Sequence, residues 1–173
     1  MYSFSAKVDL NAIVEQVRKP MISVARKSKA IEIFGKTAAA PMLHVDRSRL
    51  GQVLYNVLQN AVKYSRYGGR DIYIEYDLYD EKIGATDRWH RIRISNYGIG
   101  VPKGEEEAIF RENFRGSNTQ TVAAGQSGTG LGLFVARRIV NRHKGILRLE
   151  KRDNPTIVAI LLPHYLENRG PDL

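Results

Sequence analysis

No cysteine occurs in the 173 residues, which excludes disulfides and thiolate metal sites and suits a reducing cytoplasm. No apolar run approaches the length that crosses a bilayer. The opening Met1, Tyr2, Ser3, Phe4 and Ser5 lack the charged-then-apolar order of a signal peptide. A soluble cytoplasmic domain is expected. The four histidines, His44, His90, His143 and His164, are scattered without a metal-ligand spacing such as H-E-x-x-H, so no metal site built from protein side chains alone is expected. Also missing are the phosphate-loop pattern G-x-x-x-x-G-K-[ST] and the D-F-G and H-R-D signatures of protein kinases. No internal repeat is present.

What is there has an ordinary globular balance, 43% hydrophobic and 26% charged, in a length that fits one domain with a real core. A net charge of +9 favours an anionic partner. Nucleotide phosphates, an acidic protein, nucleic acid and anionic lipid all qualify. The basic residues are spread along the chain and not gathered in one arm or helical stripe, which argues against nucleic acid.

Apolar periodicity predicts a helix over 9–29, N-capped by Asp9, with Leu10, Ile13, Val14, Val17, Met21, Val24 and Ala25 on one face and a kink or break at Pro20. Short strands follow at 31–34 and 42–45. A second helix is expected from Arg47 to Tyr64 on Leu50, Val53, Leu54, Val57, Leu58 and Ala61, stopped by Tyr67, Gly68 and Gly69. Alternation around Ile72–Leu78 and Trp89–Ser95 predicts paired antiparallel strands. A short helix at 105–110 precedes a polar segment without periodicity, the mark of a functional lid or of disorder, at about 111–130. A third helix ends near His143 and Gly145, with His143 positioned to meet the helix dipole. Strands at 146–149 and 157–162 close the core before a tail at about 164–173. The sum is an α+β fold, a mixed, mostly antiparallel sheet covered on one face by helices.

Three patterns carry chemistry. On the second helix, Gln52, Asn56, Asn60 and Lys63 recur on the face opposite the apolar one. A solvated face would more commonly carry Lys and Glu, and amides in a helix interior carry a propensity penalty. Amide oxygens can join the shell of a hydrated Mg²⁺ on phosphates, and Lys63 can reach a phosphate oxygen. Next, Asn96-Tyr97-Gly98-Ile99-Gly100-Val101-Pro102 follows a strand; its glycines serve either an ordinary turn or close approach to a ligand. Last, Gly128-Thr129-Gly130-Leu131-Gly132-Leu133 opens a helix, where freed backbone N–H groups can bind phosphate. A dinucleotide reading, with Glu150 downstream, fits poorly because Leu133 stands where a third small residue is wanted.

Q-V-L-Y-N-V-L-Q-N-A-V-K-Y-S from Gln52 to Ser65, then N-Y-G-I-G-V-P, then Ile109-Phe110 with Phe114-Arg115, then G-T-G-L-G-L stand in the order of the N-box, first glycine box, F-box and second glycine box. The chain thus resembles the histidine-kinase branch of the GHKL superfamily, from Val8 to Pro163. The resemblance implies a Bergerat-type two-layer sandwich that binds ATP and Mg²⁺ between the N-box helix and a lid. It implies that Asn60 ligates Mg²⁺, Asn56 assists near the phosphates, Lys63 contacts phosphate and Tyr64 packs on the nucleotide. Asn96, Gly98 and Gly100 would shape the adenine end, and Gly128, Thr129, Gly130, Leu131 and Gly132 the phosphate end. Phe110 and Phe114 would anchor the lid, or serve as plain core aromatics; Arg115 would be solvent-exposed or meet phosphate in a closed lid.

The same resemblance implies a protein-histidine kinase domain of a two-component sensor, donating the γ-phosphate to a histidine on a dimerisation domain absent from this chain. A response regulator would lie downstream, the parent could be soluble or membrane-spanning, and this piece would be a monomer. ATP-hydrolysing members of the superfamily, such as gyrase and related chaperones, carry a glutamate where Asn56 stands. An amide cannot take a proton from water, so hydrolysis should be slow. The family pattern has aspartate where Asn96 stands. Asparagine can still accept from the adenine amine, but a neutral bond replaces a charge-assisted one, which costs about 1 kcal/mol. An alternative reading is a degenerate pseudokinase or nucleotide sensor; another is a basic interaction domain that kept the fold without the nucleotide.

Overall fold

The computed structural model describes residues 7–119 and 129–169. Gly128, the expected lid residues 120–127 and the tail residues 170–173 lie outside the described residues.

Helix α1 (Leu10–Lys29) starts at Asp9, whose carboxylate accepts the Ala12 N–H at 3.2 Å. The break expected at Pro20 does not occur: α1 runs through it. Pro20 faces solvent, where the Gln16 carbonyl it leaves free can bond water, while Ile13, Val14, Met21 and Ala25 are buried on both sides of it and hold the helix in line. Helix α2 (Arg47–Tyr64) has the expected ends and is capped by Asp46, which accepts the Arg49 N–H at 3.0 Å. Its Leu50, Val53, Leu54, Val57, Leu58, Ala61 and Val62 are all buried. Each of the larger aliphatic side chains contributes roughly 1.5–3 kcal/mol, so the orientation of α2 about its axis is fixed. Helix α3 spans Gly132–Arg142.

Among the described residues seven strands accompany the helices: β1 (Lys7–Asp9), β2 (Ile33–Lys36), β3 (Met42–His44), β4 (Ile72–Ile83), β5 (Thr86–Asn96), β6 (Ile146–Lys151) and β7 (Thr156–Pro163). Five form a sheet in the order β2-β4-β5-β7-β6; β2 and β4 are parallel and the other neighbours antiparallel. β1 pairs with β3 in a separate two-stranded sheet. The expected helix at 105–110 is only a 3₁₀ turn, Ala108–Phe110. The stretch read as a tail begins with another, His164–Glu167, whose Leu166 is fully buried.

Alternation on β5 divides two faces. His90, Ile92, Ile94 and Asn96 are buried on the face toward the helices. On the other face Arg91 binds Asp77 at 2.6 Å and Glu150 at 3.2 Å and stacks on Tyr79 at 3.8 Å, and Arg148 joins Glu81 and Glu150. Paired charges thus cover the open side of the sheet, so one helical layer suffices. Glu150 is held in this network, which removes it from the dinucleotide role considered above. Leu78 lies on the inner face of β4, opposite His90, and is 52% exposed.

His143 joins the two helices that frame the site. Its Nδ1–H donates to the Ile139 carbonyl at 2.9 Å and its Nε2 accepts the Asp46 N–H at 3.0 Å, locking the α3 end to the α2 start. Burial is the main cause that pushes its pKa below the ordinary 6.5, so the ring meets the helix end as a neutral donor and not as a cation. Because the folded value is the lower one, the unfolded chain binds more protons as pH falls through the unfolded value of 6.5. Urea unfolding should show stability constant above that value and falling below it, at up to about 1.4 kcal/mol per pH unit for each such histidine. His143→Ala should lower stability by about 2–4 kcal/mol and reduce the slope, leaving the share due to the buried His90.

Candidate functional site

With the apolar side of α2 buried, its amide stripe must face the other way, and it faces a cavity of about 760 Å³. Asn56, Asn60, Lys63 and Tyr64 from α2 line one wall. Asn96 and Gly100 line another, and Thr129, Gly130, Leu131 and Gly132 at the α3 start a third. Gln52 borders the outer end and is exposed. Val24, expected on the packed side of α1, is 48% exposed and forms part of the outer lip. No acidic side chain borders the cavity among the described residues, whereas Lys29, Lys63 and Arg115 do. In a chain with 18 acidic residues that exclusion makes the space electropositive.

The amides differ in their engagement. The Asn56 NH₂ donates to the Gly132 carbonyl at 3.0 Å, tying α2 to the first residue of α3 and leaving its oxygen as an acceptor. Asn60 is half-buried, Asn96 is 6% exposed, and neither side chain has a hydrogen-bond partner among the described residues. Both amides are therefore available to a ligand or water. Lys63 Nζ lies 4.8 Å from the Tyr64 ring centroid, which holds the ammonium beside the cavity. Helix α3 has no side-chain cap at Leu131, so the N–H groups of its first turn face the cavity mouth without an acceptor from a capping side chain.

The glycines have separable roles. A Cβ on Gly98 would run into the Tyr64 carbonyl, which accepts the Ile99 N–H at 3.2 Å, while the Arg66 N–H donates to Tyr97 at 3.1 Å. Gly98 thus serves the close pass of the loop against the α2 end and does not line the cavity. Gly100 has φ +70 and Gly130 φ +74, conformations that favour glycine. A Cβ on Gly132 would sit 3.8 Å from Asn56, an ordinary contact.

Phe110 is buried beneath Arg137 in the core, apart from the cavity wall, and Phe114 lines the cavity. Arg115 stands exposed at the rim. Asn118, not singled out in the sequence, donates to the Ile99 and Gly100 carbonyls at 3.1 and 3.2 Å, joining the segment after Phe110 to the glycine loop. No periodicity or motif surrounds it, so nothing in the sequence marked it.

A half-buried amide helix, a glycine loop and an uncapped helix start around one electropositive cavity define a nucleotide-binding ATPase-type domain. Residues 45–166 match the family of histidine kinase-, DNA gyrase B- and HSP90-like ATPases, and the chain belongs to it. Among curated relatives, the adaptive-response sensory kinase SasA of a Synechococcus strain is 36% identical over 110 residues, covering 64% of this chain and 26% of the relative. The chain therefore spans about a quarter of the length of the curated relatives it matches. Among solved structures, the nucleotide-free catalytic domain of histidine kinase ThkA is 28% identical with a TM-score of 0.73, over 94% of this chain and 95% of that one. The mycobacterial sensor histidine kinase MprB is 27% identical with a TM-score of 0.67, over 91% and 96%.

Two glycine substitutions test the site's construction. Gly98→Ala should cost about 2 kcal/mol or more of stability without any ligand, because backbone must move. Gly132→Ala should leave stability unchanged or raise it by up to about 1 kcal/mol, since alanine favours the helix. Urea midpoints of the two variants would check both.

Proposed function

We propose that this domain is the kinase domain of a two-component sensor, binding Mg-ATP for transfer of the γ-phosphate to a histidine on a separate dimerisation domain. The observation that carries this reading is a cavity that, among the described residues, borders no acidic side chain and brings the unengaged amides Asn60 and Asn96 together with Lys63 and a helix start without a side-chain cap at Leu131. This donor set fits a magnesium nucleotide: hard amide oxygen for the ion, cation and backbone N–H for phosphate, and a buried amide for a base edge. The kinase names of the curated relatives favour transfer over a purely sensing role.

Bound Mg-ATP would supply the activated phosphoryl group. Asn60 would offer its oxygen to the ion, Lys63 and the N–H groups of Gly132 and its neighbours would neutralise phosphate charge, and Tyr64 would pack beside the nucleotide. Thr129, Gly130 and Leu131 would shape the phosphate end, Gly100 the base end. Asn56 would hold the α3 start in place through its bond to Gly132. Asn56 offers no carboxylate to deprotonate water, so it would not promote hydrolysis and would leave transfer to an incoming histidine nitrogen. The acceptor domain, a response regulator and a cytoplasmic setting complete this reading. The residues 111–130 act in it as the lid.

At the base end, Asn96 presents both a donor and an acceptor, and rotation of the amide exchanges them. ATP affinity should therefore be modest and selection against GTP weak. Calorimetry should show heat of Mg-ATP binding that Asn60→Ala weakens at least about tenfold, while Asn96→Asp tightens ATP about tenfold and widens the ATP-to-GTP ratio. Absence of binding to the unsubstituted chain would refute the nucleotide reading; equal ATP affinity in Asn96→Asp would refute the role given to Asn96.

A further inference from the structure

The inner face of β5 is polar at both ends. Asn96 closes the cavity end, and His90 lies six residues away, roughly 20 Å along the strand. His90 is fully buried. In the ladder with β7 it stands opposite Leu162, and just beyond, at Pro163, the chain turns into the 3₁₀ turn His164–Glu167, fixed by the buried Leu166. That turn carries His164 Nδ1 to 3.2 Å from His90 Nε2 and Glu167 Oε1 to 3.5 Å from the same nitrogen. All three atoms lie within 4.8 Å of one another.

A tetrahedral ion with bonds of about 2.1 Å sets its ligand atoms about 3.4 Å apart. The two separations measured from His90 Nε2 are close to that edge. The other nitrogen of His90, Nδ1, is 2.9 Å from the Tyr76 hydroxyl. With the proton on Nδ1, donated to Tyr76, the Nε2 lone pair faces His164 and Glu167, the outer-shell arrangement that fixes a ligating imidazole.

We propose that His90 Nε2, His164 Nδ1 and Glu167 Oε1 form a site for a divalent transition-metal ion of the zinc type, with water completing the shell. Two imidazoles and one carboxylate suit Zn²⁺ or Co²⁺ over Mg²⁺ and Ca²⁺, so this ion is chemically separate from any magnesium on a nucleotide. Its position is also separate. The ion would clamp the turn after β7 onto β5, a stabilising and not a catalytic role. Spacing along the chain hides such a site, because His90 and His164 meet only through the β5–β7 ladder.

Cobalt(II) titrated into the metal-free chain without nucleotide should develop the visible absorption bands of a tetrahedral site, and zinc should displace it. Zinc should also raise the melting temperature by about 3 °C or more. His164→Ala and Glu167→Gln, both at partly exposed positions, should fold, lose the cobalt bands and weaken zinc binding at least about tenfold. Asn60→Ala should keep all three responses. Zinc affinities equal in the unsubstituted chain and in either ligand variant, or no cobalt bands in the unsubstituted chain, would overturn the proposal. Two ligand variants keep the comparison open should one fail to fold.

Discussion

The loop after β5 and the end of α2 touch through backbone alone: the Tyr64 carbonyl takes the Ile99 N–H, the Arg66 N–H reaches Tyr97, and only glycine at position 98 leaves room for the approach. This contact sets the distance between the amide face of α2 and the buried end of β5, where Asn96 lies. Everything the cavity can do depends on that distance. The apolar face of α2 fixes its rotation, and the Tyr64–Ile99 bond fixes where its last turn stands against the sheet. With both settled, Asn60, Lys63 and Asn96 face one space without any further arrangement.

The third wall is tied to α2 by one side-chain bond and one buried ring. Asn56 holds the carbonyl of Gly132 at the front of α3, and His143 holds the back of α3 to the N-cap of α2. The helix start is thereby directed at the cavity, and Leu131 supplies it no side-chain cap. A fixed dipole end, nearby cations and the exclusion of carboxylates act in the same direction, which gives an overall charge of +9 a local meaning.

Much of this was legible in the sequence, and for physical reasons. Helix α2 was readable to both ends because its apolar positions keep one period from Leu50 to Ala61 and Tyr67, Gly68 and Gly69 stop it. The amide stripe on its other face stood out because amides there add nothing to the helix, and that stripe borders the cavity. Strand β1 escaped because its three residues hold one apolar side chain, Val8, and run straight into the α1 cap at Asp9, and the passage through Pro20 because burial beyond it outweighs the lost bond. Gly98 carried a signal of close approach that was real, but the approaching group is the protein's own backbone and not a ligand. Asn118 and the meeting of His90 with His164 depend on pairing between distant segments, which no local pattern records.

The central claim places a nucleotide's phosphates between Asn60 and the start of α3 and its base against Asn96. Titration of the isotope-labelled chain with Mg-ATP, followed by nuclear magnetic resonance, tests it most directly. The side-chain amides of Asn60 and Asn96 and the backbone amides of Gly100, Gly130 and Gly132 should shift together at one saturating stoichiometry, with the outer sheet face around Arg91 and Glu150 unmoved. Shifts confined to that outer face, or Asn60 and Asn96 unchanged at saturation, would contradict the account.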